Sequence, residues 1–499
     1  MPLKEEQIRR IFGLKLRQLR EKKDLSLYGL SKKTGLSKSY LNEIEKGKKY
    51  PKPDKIVAIS EALDSSYDDM VSMKLSGKMG PLSDMILSGV LKEIPLQMFG
   101  IEENHLIDII ANAPEKVTAF IGTLFEMARS FDISKDYFYL SALRSYQEAH
   151  MNYFPEIEKS VKSFCNRYQI NTEKKLSSKE LDELLQEEFG YSIIYKKINH
   201  KDLDGQIRSV FVPQRKELLL DSEMSESQKV FILAKELAYC HMNINVRPLT
   251  FSWIKFQGFD EVLNNYKASY FAGALIINED HLKKGLEKIL GAKTWNPNAL
   301  FKLMFSFTES AETFFQRITN LLPVHFGIND MFFLRLSHTD DEKTIEMNKE
   351  FHMGKSDHPR GINSMENYCR RWVCTDILVN KRDYSEQKGV RLGIQKSRFE
   401  NSGDEHLIFT ASNQDPFNRK VERSVCIGIS LDARQKRKLK FLDGKKVKNR
   451  EVGKTCERCA IEDCQERVVK PKILNRLKHK ERIEERIEKL IDELKFLTD

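Results

Sequence analysis

The first seventy-odd residues carry a helical pattern throughout. Ile8, Ile11, Phe12, Leu16 and Leu19 recur at three- and four-residue steps, which predicts a helix over 5–23 with one apolar side. The stretch 25–47 then reads as two short helices joined by a tight turn. Ser26 can cap the first and Ser37 the second, each hydroxyl accepting from an orphan amide one turn on. Gly35 supplies the turn residue, where a Cβ would be strained. Leu27, Leu30, Leu36, Leu41 and Ile44 are expected to face inward. A fourth helix is expected over 54–63, with Pro53 at its start, and a fifth over 66–72. The second short helix turns Lys38, Ser39, Tyr40, Asn42 and Lys46 away from its apolar stripe. Hydroxyl, amide and cationic groups of this kind suit the base edges of a major groove. Lys48, Lys49 and Lys52 flank two prolines and are placed to meet phosphates.

Residues 76–81 (Ser-Gly-Lys-Met-Gly-Pro) read as a linker, and 82–168 as helical, with an aromatic amphipathic run at 137–162 broken or kinked at Pro155. A helix at 178–189 is followed by strands at 191–195, 209–212 and 217–220. A helix begun by Ser225 or Ser227 runs to His241, and another covers 263–277. Pieces at 331–336, 344–350, 390–398, 406–411 and 424–431 alternate between strand-like and helix-like and suggest a small α/β sensor-like region. Past Pro471 comes a charged helix in which Ile483, Ile487, Leu490, Leu494 and Leu497 form a short a/d seam. Two heptads are too few for a free coiled coil, so this helix should pack on its own chain or add to a dimer interface.

Composition sharpens this outline. The length of 499 residues implies three or more domains. The net charge of +10 is unevenly spread: residues 1–80 hold 18 Lys/Arg against 11 Asp/Glu, residues 432–482 hold 18 against 8, and the remainder is net acidic. Two basic segments point to a polyanion partner. No apolar window is long enough to span a membrane and no leader-like segment opens the chain, which leads us to expect a cytoplasmic protein. Its eight cysteines are then reduced, and clustered ones indicate metal or redox chemistry. Cys456-x-x-Cys459-x4-Cys464 places three thiols within nine residues. Cys369, beside Arg370 and Trp372, is the candidate fourth ligand, with Cys374 in reserve. Zinc is the simplest occupant, while an iron–sulfur cluster or a thiol switch would also fit. Cys165, Cys240 and Cys426 read as small buried hydrophobes.

Residues 26–48, ending Ile44-Glu45-Lys46-Gly47-Lys48, closely resemble the helix-turn-helix of phage-repressor-like (XRE-type) DNA-binding domains. That resemblance implies a homodimer on a double-stranded DNA operator, with contacts from Ser26, Lys38, Ser39, Tyr40, Asn42, Lys46, Lys48 and Lys49. The order helix, strands, helix at 178–241 is similar to ImmA/IrrE-type zinc metallopeptidases. Those carry His-Glu-x-x-His, two zinc ligands one turn apart with a water-activating Glu between them. Here the ligand positions are Lys235 and Tyr239, and only Glu236 keeps its identity. A cationic Lys repels the ion, and Tyr is a poor ligand near neutral pH. His241 lies six residues from Lys235, off the register of the pair. No catalytic residues are therefore expected, and a metal-free cleft that can bind a ligand remains; a rearranged site of Glu236, Cys240 and His241 is the alternative. Residues 263–277, Phe314-Phe315-Gln316-Arg317, His325-Phe326-Gly327 and Tyr368-Cys369-Arg370-Arg371-Trp372 resemble bacterial regulators of short-chain acyl-CoA metabolism that join the two domain types. Those regulators pair the Cys-x-Arg-Trp run with the late cysteine cluster, and they imply an acyl-CoA effector.

The expected fold is multidomain and mainly α with α+β parts. It comprises a five-helix lambda-repressor-like domain (1–75), a helical linker or dimerisation region (82–168), a zincin-like pseudo-metallopeptidase domain (169–325), a PAS/GAF-like α/β sensor region with the Cys cluster (326–470) and a C-terminal amphipathic helix (471–499). The expected function is transcription control by a small-molecule effector. A repressor-cleaving protease and a phage-type repressor that answers to a protein partner are the alternatives.

Overall fold

In the computed structural model of the chain, residues 5–75, 135–198, 207–250, 258–339, 344–356, 366–415 and 420–495 are described. Isolated positions at 86–87, 102, 106–107, 109, 123, 359, 361 and 418 are described as well. The linker read at 76–81, most of the helical stretch expected over 82–134, and Leu497 lie outside the described residues. The chain forms two compact units, residues 1–142 with 257–259, and residues 143–256 with 260–499.

The first unit opens with α1 (Glu5–Lys22), α2 (Leu27–Thr34), α3 (Lys38–Glu45), α4 (Pro53–Ala62) and α5 (Tyr67–Val71). The hydroxyls of Ser26, Ser37 and Ser66 accept from the amides of Gly29, Tyr40 and Asp69 and so start α2, α3 and α5. Gly35 ends α2 at φ 69°, its N–H donating to the Ser31 carbonyl. Phe12, Leu16, Leu30, Leu41, Ile44, Ile56, Ile59, Leu63 and Met70 form the core. Leu27 and Leu36 are half-buried at its rim. The helices α1 and α3 cross so closely that a Cβ on Gly13 would stand 2.3 Å from the Ile44 carbonyl oxygen.

In the second unit the chain breaks before Pro155 and does not bend through it. One helix covers Lys135–Ala149, and a new one, Pro155–Tyr168, has the proline at its first turn, where no amide is missed. Phe154, Ile157, Val161 and Phe164 join Leu181, Leu185, Leu233, Leu237, Phe271 and Leu275 in one core. The boundary expected at 168/169 therefore falls inside continuous packing. Arg317 closes this core on Glu158 with two hydrogen bonds of 2.5 and 3.0 Å, and the Tyr270 hydroxyl donates to the same carboxylate at 2.7 Å. A small sheet of β1 (Ser192–Lys196), β2 (Ser209–Val212) and β3 (Glu217–Asp221) has the order β1-β3-β2, with β1 parallel and β2 antiparallel to β3. It lies beside the helices Ser178–Phe189 and Glu226–His241.

The larger sheet is built from β4 (Met331–Thr339), β5 (Ile345–Met353), β6 (Ser385–Gln387), β7 (Val390–Phe399), β8 (Glu405–Gln414), β9 (Val421–Ser430) and β10 (Lys448–Val452). Its order is β10-β7-β8-β9-β4-β5, and β6 shares the β7 edge with β10. All pairings are antiparallel except β10 with β7. This corrects the expected α/β alternation. The connections from β7 to β8 and from β8 to β9 are too short to carry a crossover helix, so neighbouring strands run antiparallel. Alternation then gives each strand two faces. Met331, Phe333, Leu407, Phe409, Ile427 and Ile429 pack into the helical core, together with Phe314, Ile318 and Leu321 of the helix Ala311–Leu321. The boundary expected at 325/326 also lies within that packing. Phe332, Leu334, Ile408, Cys426 and Phe399 face the other way, onto Trp372, Ile377 and Leu378 around the helix Val373–Val379. On the final helix, Lys472–Lys495, Leu477, Ile483, Ile487, Leu490 and Ile491 are exposed. None of the described helices is long and apolar enough to cross a membrane.

Candidate functional site

Three places carry chemistry, the first of them in the head. Lys38, Ser39, Lys46, Lys48 and Lys49 are exposed, and Asn42 and Tyr40 are half-buried. Tyr40 is partly absorbed by the core, and Lys49 lies 5.8 Å from its ring centroid. Lys49 also pairs with Glu43 at 2.8 Å, so its charge is shared with α3. Ser26 is engaged as the α2 cap. Three anchors were not legible beforehand. Arg20 grips Glu45 with hydrogen bonds of 2.6 and 3.0 Å and the Leu25 carbonyl with a third of 2.8 Å, tying α3 to α1. Arg10 donates to the Lys46 carbonyl at 2.7 Å. Lys15 is buried and donates to the Asp69 and Ser72 carbonyls, each at 2.6 Å, while burial lowers its pKa. The only sequence signal for that last anchor is a Lys set within the apolar stripe of α1.

The second place is the helix Glu226–His241, where Lys235 and Tyr239 stand one turn apart and buried. Both donate to the side-chain oxygen of Asn265 from the helix Phe259–Ile276, Tyr239 at 3.3 Å. Glu236 is buried between them. One of its oxygens accepts from Arg247 at 2.6 Å and the other from the Tyr191 hydroxyl at 3.3 Å. The Arg247 guanidinium lies between two rings, 4.1 Å from the Phe211 centroid and 4.0 Å from that of Tyr239. Burying a carboxylate requires a compensating cation. Here a guanidinium supplies it, eleven residues along the chain and with no motif to announce it. Burial drives the Lys235 ammonium down to about 7, partly offset by Glu236 and reinforced by Arg247 and Lys349. Arg247 stays above its ordinary range, because the charge and hydrogen bond of Glu236 outweigh its burial. Tyr239 is held protonated by burial. His241 does not join this group: its ring packs against Phe164 and Phe271, and burial lowers its pKa. Cys240 reaches Tyr191, with Sγ and OH 3.4 Å apart. The cleft over these residues has room for about one water-sized sphere, roughly 10 Å³, far below a small-molecule pocket.

The third place is the cysteine loop. Tyr368 and Thr455 pair as an antiparallel bridge; the Cys369 amide donates to the Lys454 carbonyl and the Cys456 amide to that of Asn367. This brings Cys369 beside the late cluster. Arg467 donates to the carbonyls of Cys456, Cys459 and Ile461 and so curls the loop. Burial pushes the Cys369 thiol up to about 12, helped by its neighbours Cys459 and Cys456. Cys459 is raised by burial, with Cys464 contributing. Cys374, the reserve ligand, lies in the core beside Cys426. The donor types suit zinc or an iron–sulfur cluster, and three of the four lie in one loop. Among the described residues, however, no three His, Cys, Asp or Glu side chains converge on one centre.

Residues 16–70 match the family described as helix-turn-helix, and residues 186–319 match the family described as IrrE N-terminal-like domain. No curated protein matches the chain as a relative. Among solved structures, a Mycobacterium tuberculosis transcriptional regulator is similar at 16% identity and a TM-score of 0.48, over 66% of this chain and 93% of that one. The chain thus carries an XRE-type helix-turn-helix domain at its N-terminus and, behind it, an IrrE-like domain of a peptidase family.

Proposed function

We propose that the chain is a transcriptional regulator. Its head binds a double-stranded DNA operator, and a small-molecule effector bound in the second unit controls that binding. The carrying observation is the face of α3: Lys38, Ser39, Asn42 and Lys46 are presented on a helix that Ser37 caps and the Arg20–Glu45 pair holds in place. Such rigidity lets a helix read base edges rather than only phosphates. The effector class favoured by the resemblance is an acyl-CoA. The cleft at Glu236 is too small for one as it stands.

The IrrE-like domain is read as a pseudo-peptidase. Lys235 and Tyr239 hold the ligand positions, and Arg247 neutralises the one retained carboxylate. The protein would act in the cytosol as a homodimer, and the exposed seam from Ile483 to Ile491 would add to the dimer contact. The gathered thiols of Cys369, Cys456, Cys459 and Cys464 would bind one ion, zinc first, after side-chain rotation.

Selection of binding sites from random DNA, followed by titration with propionyl-CoA, tests the reading. A single enriched sequence whose affinity shifts with the acyl-CoA supports it. Failure to enrich any sequence, with folded protein in hand, refutes the DNA-binding half. An enriched site whose affinity ignores the acyl-CoA refutes the effector.

A further inference from the structure

The final helix, Lys472–Lys495, carries more surface than its own chain covers. Its start is fixed, because the amides of Ile473 and Leu474 donate to the Glu457 carbonyl, each at 3.1 Å. From residue 475 to residue 491 every position is exposed. Leu477, Lys480, Glu484, Ile487 and Ile491 step by 3, 4, 3 and 4, so they form one line along the helix. Ile483 and Leu490 widen it on one side. Two opposite charges thus interrupt an apolar stripe. Within one chain they pair at 3.7 Å with 75% and 60% of their side chains exposed, and so open a pair contributes little to stability. Charge also runs along the axis. Residues 472–482 hold five Lys/Arg against one Asp/Glu, and residues 483–495 hold five Asp/Glu against three Lys/Arg.

We infer that this line is a self-complementary contact surface, on which the helix pairs antiparallel with the same helix of a second copy of the chain, about a two-fold axis level with residue 482. The inference rests on the homodimer reading above and adds the orientation and register of the contact. In this register Leu477 meets Ile487, Lys480 meets Glu484 and Arg476 meets Glu488, each pair twice. Apolar then covers apolar, and every charge in the line faces its opposite. Other arrangements are penalised. A parallel, in-register pair sets Lys480 against Lys480 and Glu484 against Glu484. An antiparallel axis moved to 480 or 484 sets one of these charges against itself. Polar residues in an apolar seam select register and orientation in this way, at some cost in affinity. The charge gradient favours the same choice, since antiparallel packing lays the basic half of one helix on the acidic half of the other. The line spans little more than two heptads, so the contact is weak by itself. Two heads on one operator raise the effective concentration at which it forms. A two-fold contact also closes at two chains and does not propagate.

The test combines Leu477→Cys and Ile487→Cys in the full chain, oxidises it with copper phenanthroline and identifies the joined peptides by mass. The parent chain, treated alike, sets the background from its eight native cysteines. Ten residues of helix rise about 15 Å, so the two new thiols do not reach each other within one chain. The expected product is a two-chain species joined 477 to 487. Joints of 477 to 477 and of 487 to 487 overturn the antiparallel register. Arg482→Cys lies on the opposite side of the helix and should link about ten-fold more slowly, whereas an equal rate overturns the surface. Failure to link in a chain that sediments as a dimer overturns the inference and leaves the homodimer reading standing. A monomer, both free and on its selected DNA site, overturns that reading as well. Charge gives a second readout that needs no cysteine. Lys480→Glu should raise the dimer dissociation constant about three- to ten-fold, and Glu484→Lys added in the same chain should restore it. A parallel pair exchanges one like-charge contact for another, so an unchanged constant in Lys480→Glu overturns the proposal.

Discussion

Lys235 gives the sharpest test of how this site is balanced. Its ammonium is buried, and its pKa falls from 10.5 to about 7. The gap of 3.5 units, at about 1.4 kcal/mol per unit, penalises the charged form by roughly 5 kcal/mol relative to the neutral one. The unfolded chain keeps this proton to about pH 10, whereas the folded chain releases it above about pH 7. Between those values the folded state binds fewer protons, so stability rises with pH; below about pH 7 both states are protonated and the penalty is complete. Lys235→Met keeps the length of the side chain and removes the charge. It forfeits the bond to Asn265, whose oxygen still accepts from Tyr239 at 3.3 Å. After that loss, the variant should be more stable than wild type by about 1–3 kcal/mol at pH 6. The advantage should fall as pH rises above about 7 and keep falling until about pH 10, where the unfolded chain also loses this proton. Urea unfolding at several pH values measures this. Tryptophan emission is a suitable signal, because Trp295 and Trp372 are buried in the second unit and the described head has none. A variant less stable than wild type at pH 6, or a difference that does not change with pH, would refute the reasoning.

Three further outcomes are expected. In the head, Asn42→Ala should cost about 1–3 kcal/mol on the selected site and relax discrimination there, whereas Lys48→Ala should weaken all DNA alike and flatten the salt slope by about one; anisotropy titrations across salt concentrations separate the two. Gly13→Ala would drive a Cβ to 2.3 Å from the Ile44 carbonyl, so it should destabilise the head by about 1–3 kcal/mol or more and abolish DNA binding, while thermal unfolding of the second unit is unchanged. Metal analysis of the purified chain should find one zinc that Cys459→Ser loses; an ion that survives this substitution would reject the thiol ligand set.

Much of the head could be read from its residues, because its determinants are local. Ser26, Ser37 and Gly35 act on amides within one turn, and the apolar positions repeat at helical spacing. The strands of the small sheet were legible for the same reason, whereas in the larger sheet strand-like and helix-like pieces were expected to alternate, and β6 and β10 gave no signal. The placing of Lys235 and Tyr239 one turn apart on one buried helix was legible too, because it follows from helical spacing alone. The limits of the domains were not, since helix Pro155–Tyr168 and helix Ala311–Leu321 each pack across a boundary that composition suggested.

Residue types at short spacing thus determined the helices, the turn, the polar face of α3 and the placing of Lys235 and Tyr239 one turn apart on one helix. Only the tertiary structure decided what neutralises Glu236, which side chains lock α3 to α1, and that Cys369 meets the late cluster. Arg20–Glu45, Lys15–Ser72 and Arg247–Glu236 join residues whose separation follows no period, and Cys369 lies nearly ninety positions before Cys456. A buried charge finds its partner through the fold as a whole: desolvation sets the need for one, and the packing of distant elements determines which side chain is near enough to meet it.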